Sequence, residues 1–318
     1  MLPSAGFSSI PLHLKVIRWQ YCLSNHLCSS TFISRPGNVD WVWKFAGKPR
    51  ARGVEFVDAN GRSYQALLTE SSRFTEVILS AGSIGSPQLL LLSGIGPSEH
   101  LQEFNIPLVL HLPLVGKGIQ DSPRATVTVQ TPTPHEFSSI QAVGILPGSQ
   151  NYIESSFFVQ PNNVYAGNIF EKLGIHLSRG ELRLRSTDPR DNPSVRYNYY
   201  SHPLDLKGCV DGVRVIDKIL KTRSLQRFTF AAANGSSPEF HFIGRALPNN
   251  TWDDAAVVQF CRDTLDTMWH FHGGCHVGPV VNYRYQVNGV ESLRIVDGST
   301  FEDAPGTNPQ ATTLMLGR

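Results

Sequence analysis

The residues best suited to chemistry are concentrated near the C-terminus. Three of the eleven histidines and one of the five cysteines fall within a single short run: His270, His272, Cys275 and His276. Imidazole and thiolate are the usual zinc ligands, but no Cys-x-x-Cys or His-x-x-x-His partner appears elsewhere in the chain to complete a structural zinc site. A histidine fixed by a hydrogen-bonding neighbour can instead take a proton from a substrate at neutral pH. The sequence therefore predicts acid–base chemistry without a metal, and burial against backbone groups stays the alternative for any single histidine.

An upstream segment has the pattern of a phosphate-binding turn. Residues Glu76–Ser80 predict a buried strand, and a run of small residues follows it. Ser86 is a favourable N-cap and Pro87 suits the first position of a helix, which Gly94 would end. A strand, a small-residue turn and a helix N-terminus allow the backbone to approach a dinucleotide phosphate closely.

Organised structure is expected to begin near Ala51, because the first 30 residues show no clear element. Residues 53–58 alternate with period two, Asn60-Gly61 supplies a hairpin turn, and residues 63–69 give a returning strand. This hairpin is predicted to be a scaffold without chemistry.

The middle of the chain is predicted to be irregular at first and ordered later. Residues 123–168 are rich in Pro, Ser, Gln and Asn without sustained periodicity, which predicts loops. Alternation over 177–185 predicts a half-buried strand, and a turn at 191–193 leads into another. Apolar residues at helical spacing over 204–220 predict an amphipathic helix.

Composition excludes some classes of protein. The chain has 318 residues, 41% of them hydrophobic, and a net charge of +2, which suits one large domain or two ordinary ones. No basic run indicates nucleic-acid binding, and no apolar stretch reaches the length of a membrane span. Polar residues interrupt the N-terminal segment where a signal peptide needs an apolar core, so no signal peptide is predicted.

Three ordered blocks carry a resemblance to a known family. They begin at His270 (HFHGGCHVG), Val287 (VNGVESLRIVDGSTF) and Pro305 (PGTNPQATTLMLG), and a second signature, GSIGSPQLLLLSGIG, begins at Gly82. Together they resemble the glucose-methanol-choline (GMC) family of FAD-dependent oxidoreductases, in particular its plant branch of HOTHEAD-like and mandelonitrile-lyase-like proteins.

The resemblance implies FAD as cofactor and a role for several residues. His270 would be the catalytic base, and Asn308 would hold the substrate oxygen. The cofactor-binding residues would be Gly82, Ser83, Trp269, Asp297, Gly298, Pro309 and Gln310, with ordinary core packing as the alternative for Trp269. His272, Cys275 and His276 have no catalytic role in the family pattern and are expected to be structural. Cys209 and Cys261 would form a disulfide, with two buried thiols as the alternative.

The resemblance also implies a fold of the α+β or α/β class. It consists of a partial Rossmann-like FAD-binding domain, from residues 51–122 and 269–318, and a substrate-binding domain over 123–268 with a mixed or antiparallel sheet and flanking helices. Residues 1–50 stay unassigned. The Gly-x-Gly-x-x-Gly turn of the family is absent, so the chain resembles the C-terminal part of such an enzyme.

The expected activity is oxidation of an alcohol or hydroxy acid, a small-molecule substrate. Cyanohydrin lysis is the first alternative, although the resembling lyases carry histidine where Asn308 stands and tyrosine where Met268 stands. A catalytically inactive fragment is the second alternative. The disulfide and the sequons at Asn234 and Asn249 suggest that relatives of full length enter the secretory pathway, and the oligomeric state is left open.

Overall fold

The computed structural model describes residues 14–18, 42–45, 48–58, 61–69, 75–147, 151–232, 237–306 and 308–318. Its strands are β1 (Leu14–Arg18), β2 (Val42–Phe45), β3 (Lys48–Ala51), β4 (Gly53–Val57), β5 (Ser63–Leu67), β6 (Glu76–Ser80), β7 (Ile95–Gly96), β8 (Leu110–His111), β9 (Lys117–Ile119), β10 (Pro123–Gln130), β11 (Ser138–Ile145), β12 (Tyr152–Gln160), β13 (Val164–Lys172), β14 (Gly180–Arg183), β15 (Ser194–Arg196), β16 (Leu265–Thr267) and β17 (Leu293–Ile295). Its α-helices are α1 (Gly82–Leu92), α2 (Ser98–Glu103), α3 (Pro203–Leu220), α4 (Asp254–Asp263) and α5 (Gln310–Leu316), and 3-10 helices lie at Pro161–Asn163, Gln226–Phe228 and Gly298–Thr300.

A parallel sheet organises the part of the chain that carries the phosphate-turn pattern. Strand β6 lies between β1 and β17 and is parallel to both. Its Val77, Ile78 and Leu79 are buried, as expected for a central strand covered on both faces. Because α1 follows β6 directly, the turn between them lies at the carboxyl edge of this sheet.

A five-stranded sheet forms the middle of the molecule, in the order β11-β12-β13-β10-β16, with antiparallel pairing throughout. Helix α3 packs on one face through an apolar stripe that includes Val213, Ile216 and Leu220. A disulfide joins Cys209 of α3 to Cys261 of α4. The disulfide expected from the resemblance is therefore confirmed.

Alternation along β13 sends two neighbouring charged residues to opposite faces of this sheet. Glu171 points at α3, where its Cβ lies 2.8 Å from the position that a Cβ on Gly212 would take. Lys172 points away from α3 and bonds to Asn308. Successive strand residues face opposite sides of a sheet, so the face away from α3 is the one that meets the C-terminal segment.

Buried apolar residues form two clusters. The first joins α1 and β6 to the loops and strands between Cys275 and Ile295, and it includes Leu182 and Leu184. The second lies between the five-stranded sheet and the helices α3 and α4. A mixed α/β fold with a parallel sheet, an antiparallel sheet and flanking helices agrees with the predicted fold class, while the predicted domain boundaries stay a prediction.

Two expectations about irregular regions were wrong. Residues 123–168 hold strands β10, β11 and β12 and the first part of β13. Strand β10 buries every second residue, so its Thr and Val residues form a half-buried strand although the region as a whole is polar. At the N-terminus, β1 and β2 precede the expected start at Ala51, because β1 can pair with β6 more than 60 residues later.

The remaining predicted elements are present with the expected type, although one of them is much shorter than predicted. The hairpin appears as β4 and β5, with Asn60 of its turn outside the described residues. The predicted helix over 204–220 is α3, whereas the strand over 177–185 is only the four residues of β14. The backbone N–H groups of Leu177 and Ser178 donate to the Asp205 carboxylate instead of to a neighbouring strand. The sequon at Asn234 also lies outside the described residues.

Among the described residues, none of the helices has the length and apolar character needed to cross a membrane.

Candidate functional site

Asp121 anchors the segment that carries His270. Its Oδ1 accepts a hydrogen bond from the backbone N–H of His270 at 2.8 Å, and its Oδ2 accepts from the hydroxyls of Tyr199, at 2.6 Å, and Thr267. The residue is 1% exposed, and burial raises the pKa of its carboxyl while these hydrogen bonds lower it. The carboxylate thus joins β16, the loop after β9 and Tyr199 of the turn after β15 around the start of the histidine segment.

Trp269 adopts a backbone conformation that side chains rarely take. Its φ is +56°, in the left-handed region that is costly for a bulky residue. Its backbone N–H donates to the Thr267 hydroxyl at 2.9 Å. The guanidinium of Arg124 lies 5.2 Å from the centre of the Trp269 indole ring. The indole is 64% exposed. Ordinary core packing, the alternative considered for Trp269, is therefore wrong, and the ring is free to contact a bound group.

His270 is a neutral imidazole at pH 7. Burial, the positive charge of Lys172, the neighbouring His272 and the charge of Arg124 together lower its pKa to about 4. Its Nδ1 is buried and has no hydrogen-bond partner within the described part of the chain. A base must be unprotonated before it can take a proton, and this surrounding keeps the ring unprotonated.

Lys172 bonds Asn308, and its charge acts on His270. Its side chain is fully buried, and its Nζ donates to Asn308 Oδ1 at 3.3 Å and to Glu154 Oε1 at 3.4 Å. The ammonium also lies 5.4 Å from the ring centre of Tyr152. Burial lowers the pKa of Lys172, and the charge of Glu154 opposes that effect. The same ammonium that bonds Asn308 acts electrostatically on His270, so the two predicted catalytic residues share this neighbour.

The contact with Lys172 fixes what Asn308 can do. An ammonium can only donate, so the amide oxygen must face it and the amide NH₂ must face away. Asn308 is exposed and stands just before α5, which leaves its two N–H donors available to a substrate oxygen. Because an amide does not titrate, Asn308 can hold a substrate oxygen but cannot take its proton.

The predicted cofactor turn is held by a carboxylate from the distant C-terminal segment. Asp297 accepts from Gly82 N–H at 3.0 Å and from the Ser86 hydroxyl at 2.5 Å through Oδ2, and from Ser299 N–H at 2.8 Å through Oδ1. The Ser83 hydroxyl donates to the carbonyl of Phe271 at 2.8 Å. Three segments that the sequence separates are thereby joined at one turn.

This network explains why the predicted helix start was wrong. Helix α1 begins at Gly82 and contains Pro87, whereas Ser86 was expected as its N-cap. Asp297 binds the first N–H of the helix and also the Ser86 hydroxyl, so a residue more than 200 positions away provides the acceptor that a local cap would supply. Gly94 has a φ of +77° just beyond the helix, as predicted for the residue that ends it.

The turn has room for a cofactor. Gly82 has a φ of +77°, and a Cβ on it would meet no atom within 4 Å. Gly298 lies across the same turn, where a Cβ would be 3.4 Å from the Ser83 hydroxyl oxygen. Open space beside the turn and a close approach of two backbones suit a bulky cofactor such as FAD, while the first N–H of α1 is already bonded to the Asp297 carboxylate. Pro309 and Gln310, also predicted to bind it, stand at the start of α5 with Gln310 exposed.

The other histidines of the segment are buried around the site. His272 is 1% exposed, and its Nδ1 lies 2.9 Å from the carbonyl oxygen of His270, which identifies Nδ1 as the protonated nitrogen. His176 packs edge-on against it with ring centres 5.3 Å apart. Cys275 is a buried free thiol whose pKa is raised by burial. Within the described residues, no group of three or more His, Cys, Asp or Glu side chains could hold a metal ion.

Sequence reasoning missed three residues of the site, namely Asp121, Glu154 and Lys172. One signal was available in the sequence, since the run NIFEK ends in two adjacent charged residues, Glu171 and Lys172, directly after two apolar ones. A charge at an inward position of a strand is rarely tolerated without a partner. Asp121 follows the run VGKGIQ, whose glycines indicate a tight turn and give no local signal of a buried carboxylate.

Comparisons with known proteins agree with the resemblance. The model of a family described as GMC oxidoreductase matches in two parts, its N-terminal part over residues 37–124 and its C-terminal part over 177–317. The "(R)-mandelonitrile lyase-like" protein of Arabidopsis thaliana is 46% identical over 84% of this chain and 50% of its own length. Protein HOTHEAD of the same plant is 38% identical over 85% of this chain and 53% of its own length.

Two further comparisons concern an oxidase and a solved structure. "Sinalpyl alcohol oxidase Nec3" of Nesocodon mauritianus is 40% identical over 85% of this chain and 50% of its own length. A formate oxidase of Aspergillus oryzae, solved in a study of FAD modification, superposes with a TM-score of 0.74 at 19% identity, over 90% of this chain and 58% of that one. The chain thus spans about half the length of the curated relatives it matches.

Proposed function

Because the chain belongs to the GMC oxidoreductase family, we propose that it serves the FAD-dependent oxidation of a CH–OH group in a small molecule, with His270 as the base. The observation that carries this proposal is that Lys172 donates to Asn308 and that its positive charge acts on His270. Nothing local in the sequence requires this shared neighbour, and a base with a hydrogen-bond donor near it is what removal of a hydroxyl proton needs.

The chemistry divides between the cofactor and the chain. Bound FAD supplies the acceptor for the hydride that leaves the carbon of the alcohol. His270 takes the hydroxyl proton, and Asn308 donates an amide N–H to the same oxygen. The proton and the hydride leave together as the C–O bond becomes a carbonyl, so the substrate loses two electrons and two hydrogens.

Local charge supports this assignment of roles. Lys172 and Arg124 both act on His270 as positive charges, and positive charge stabilises a substrate oxygen that becomes negative as its proton leaves. The same charges make His270 a weak base when the site is empty. A negatively polarised oxygen beside the ring would raise its pKa towards the range in which proton transfer is efficient.

The predicted cofactor-binding residues fit FAD in this proposal. Gly82 and Gly298 would let the backbone approach the cofactor, and Asp297 would hold that turn in shape through Gly82 N–H. The exposed indole of Trp269 would cover one edge of the bound ring system. Pro309 and Gln310 would extend the same surface from the start of α5.

Cyanohydrin lysis is a second candidate because a relative named for that activity is 46% identical. The same base could remove the hydroxyl proton of a cyanohydrin, but the carbon would then lose cyanide and no hydride would leave. Asn308 has no proton to exchange with the departing cyanide, which favours oxidation over lysis.

A secretory location forms part of the proposal. The Cys209–Cys261 disulfide is of a kind that persists in oxidising compartments. Asn249 of the second sequon is exposed, so it could carry a glycan in such a compartment.

Anaerobic reduction of bound flavin tests the proposed oxidation. The purified chain would be loaded with FAD, freed of excess, and mixed with primary alcohols, 2-hydroxy acids and mandelonitrile while flavin absorbance is recorded. Loss of the oxidised flavin spectrum with an alcohol or hydroxy acid is expected. His270→Ala should slow it by roughly 10²–10⁴-fold with FAD still bound, whereas His111→Ala, at an exposed histidine of β8, should not.

Three other outcomes would contradict the proposal in different ways. Unchanged reduction in His270→Ala would remove His270 from the role of base. Cleavage of mandelonitrile to benzaldehyde and cyanide with the flavin still oxidised would establish the lyase instead. A chain that keeps no FAD after removal of the excess would show that these residues do not suffice to hold the cofactor.

A further inference from the structure

A cavity, named the rear cavity below, lies against the five-stranded sheet on the face opposite to Lys172. Its volume is about 620 Å³, within the range of small-molecule binding sites. Ile153 and Ile169 line it and also belong to the apolar cluster that packs against α3. Ile169 and Lys172 are three positions apart on β13, and Ile153 pairs with Glu171, so both isoleucines face the side of the sheet opposite to Lys172 and Asn308. Glu154, which bonds Lys172, also lines this rear cavity.

Three aromatic rings line one part of the rear cavity and contact each other. The ring of His135 lies 5.1 Å from that of Phe157 and 4.9 Å from that of Phe228, measured between ring centres, and Phe157 and Phe228 are 6.0 Å apart. Aromatic pairs at these separations attract each other and offer both faces and edges to a further ring. The cavity is therefore suited to a planar aromatic molecule.

An arginine stands at the mouth of the rear cavity. Arg227 is exposed, and its guanidinium lies 5.0 Å from the ring centre of Phe228. Across the described ranges of the chain, Arg227 makes no ion pair, although Glu136 also lines the cavity. A guanidinium presents a planar set of donors that matches a carboxylate. Because Arg227 lies at the edge of these three rings, a ligand carboxylate bound to it would lie at the mouth of the cavity, and the aromatic ring of the ligand would lie inside.

We propose that the rear cavity binds a planar aromatic carboxylate, with its ring against His135, Phe157 and Phe228 and its carboxylate on Arg227. This site is separate from the proposed active site and needs neither FAD nor His270.

Strand β11 offers a matched pair of substitutions to test this site. Gly144 lines the cavity, and a Cβ on it would meet nothing closer than the Ile153 carbonyl oxygen at 3.8 Å. Gly144→Phe should therefore fill the cavity from an exposed edge strand without a clash. Val143 is paired with Glu154, which bonds Lys172, so Val143→Phe places the same ring on the opposite face of the sheet.

Isothermal titration calorimetry with 2-naphthoate and with the neutral 2-naphthamide is the experiment. We expect the wild-type chain and Val143→Phe to bind 2-naphthoate alike and Gly144→Phe to bind at least tenfold more weakly. Arg227→Gln should weaken 2-naphthoate about tenfold and leave 2-naphthamide unchanged. Circular dichroism and thermal unfolding of each variant would show that the fold is retained.

Any of three results would contradict the proposal. The first is no binding of 2-naphthoate by the folded wild-type chain at millimolar concentration. The second is binding that Val143→Phe removes and Gly144→Phe leaves unchanged, which would place the ligand on the His270 side of the sheet. Equal loss of both probes in Arg227→Gln would refute the role of the carboxylate.

Discussion

His176 should make the stability of this protein depend on pH in the acid range. The residue is 3% exposed, and neither ring nitrogen has a hydrogen-bond partner among the described residues. Burial, together with the adjacent His272, lowers the pKa of His176 to about 4. The unfolded chain, with a histidine pKa near 6.5, therefore takes up this proton before the folded chain does.

The difference between the His176 pKa of the folded chain and that of the unfolded chain fixes the sign and the size of the pH effect on stability. Above pH 6.5 His176 is neutral in both states and has no effect on the pH dependence. Between pH 6.5 and 4 the unfolded state binds more protons, so the free energy of unfolding falls as the pH falls, and below pH 4 the loss is complete. At about 1.4 kcal/mol for each pKa unit, a pKa of about 4 in place of 6.5 corresponds to roughly 3 kcal/mol.

Urea unfolding of His176→Leu measures this contribution. Leucine has a similar volume and does not titrate, so the variant should be close to wild type at pH 7 and more stable than wild type by about 3 kcal/mol at pH 4. His111→Leu, at an exposed histidine, serves as the control. A wild type and a His176→Leu variant that lose equal stability between pH 7 and pH 4 would refute the reasoning.

Three other substitutions should change the free energy of unfolding in urea. Lys172→Met leaves the Glu154 carboxylate buried without its ammonium and should cost about 3–5 kcal/mol, most of which the double variant with Glu154→Leu should recover; equal losses in both would exclude the ion pair as the cause. Removal of the Cys209–Cys261 disulfide, whose cysteines are 52 residues apart, should cost about 4 kcal/mol, and the effect should vanish when wild type is measured under reducing conditions. Asp297→Ala removes the acceptor of three hydrogen bonds and should cost roughly 3 kcal/mol, whereas a loss below about 1 kcal/mol would show that water replaces the carboxylate.

The sequence anticipated elements whose signals are local. Helix α3 has apolar residues at helical spacing, the β4–β5 hairpin alternates around a glycine turn, and β6 is a short apolar run. Prediction from the sequence failed where the residue that stabilises an element is distant in the chain. The polar composition of β10 to β12 predicted loops, but pairing with neighbouring strands of the sheet stabilises them as strands. Helix α1 begins at Gly82, and not after Ser86, because Asp297 accepts its first N–H.

The candidate site divides in the same way. The sequence by itself determined the family and named the candidate pair His270 and Asn308, because ordered motifs carry that information within short segments. Only the tertiary structure decided between a disulfide and two buried thiols at Cys209 and Cys261, showed that a buried Lys172 from the five-stranded sheet bonds Asn308, and showed that Asp121 anchors the histidine segment. Residues more than 90 positions apart meet there through sheet pairing and buried hydrogen bonds, and no local pattern of residues encodes such a meeting.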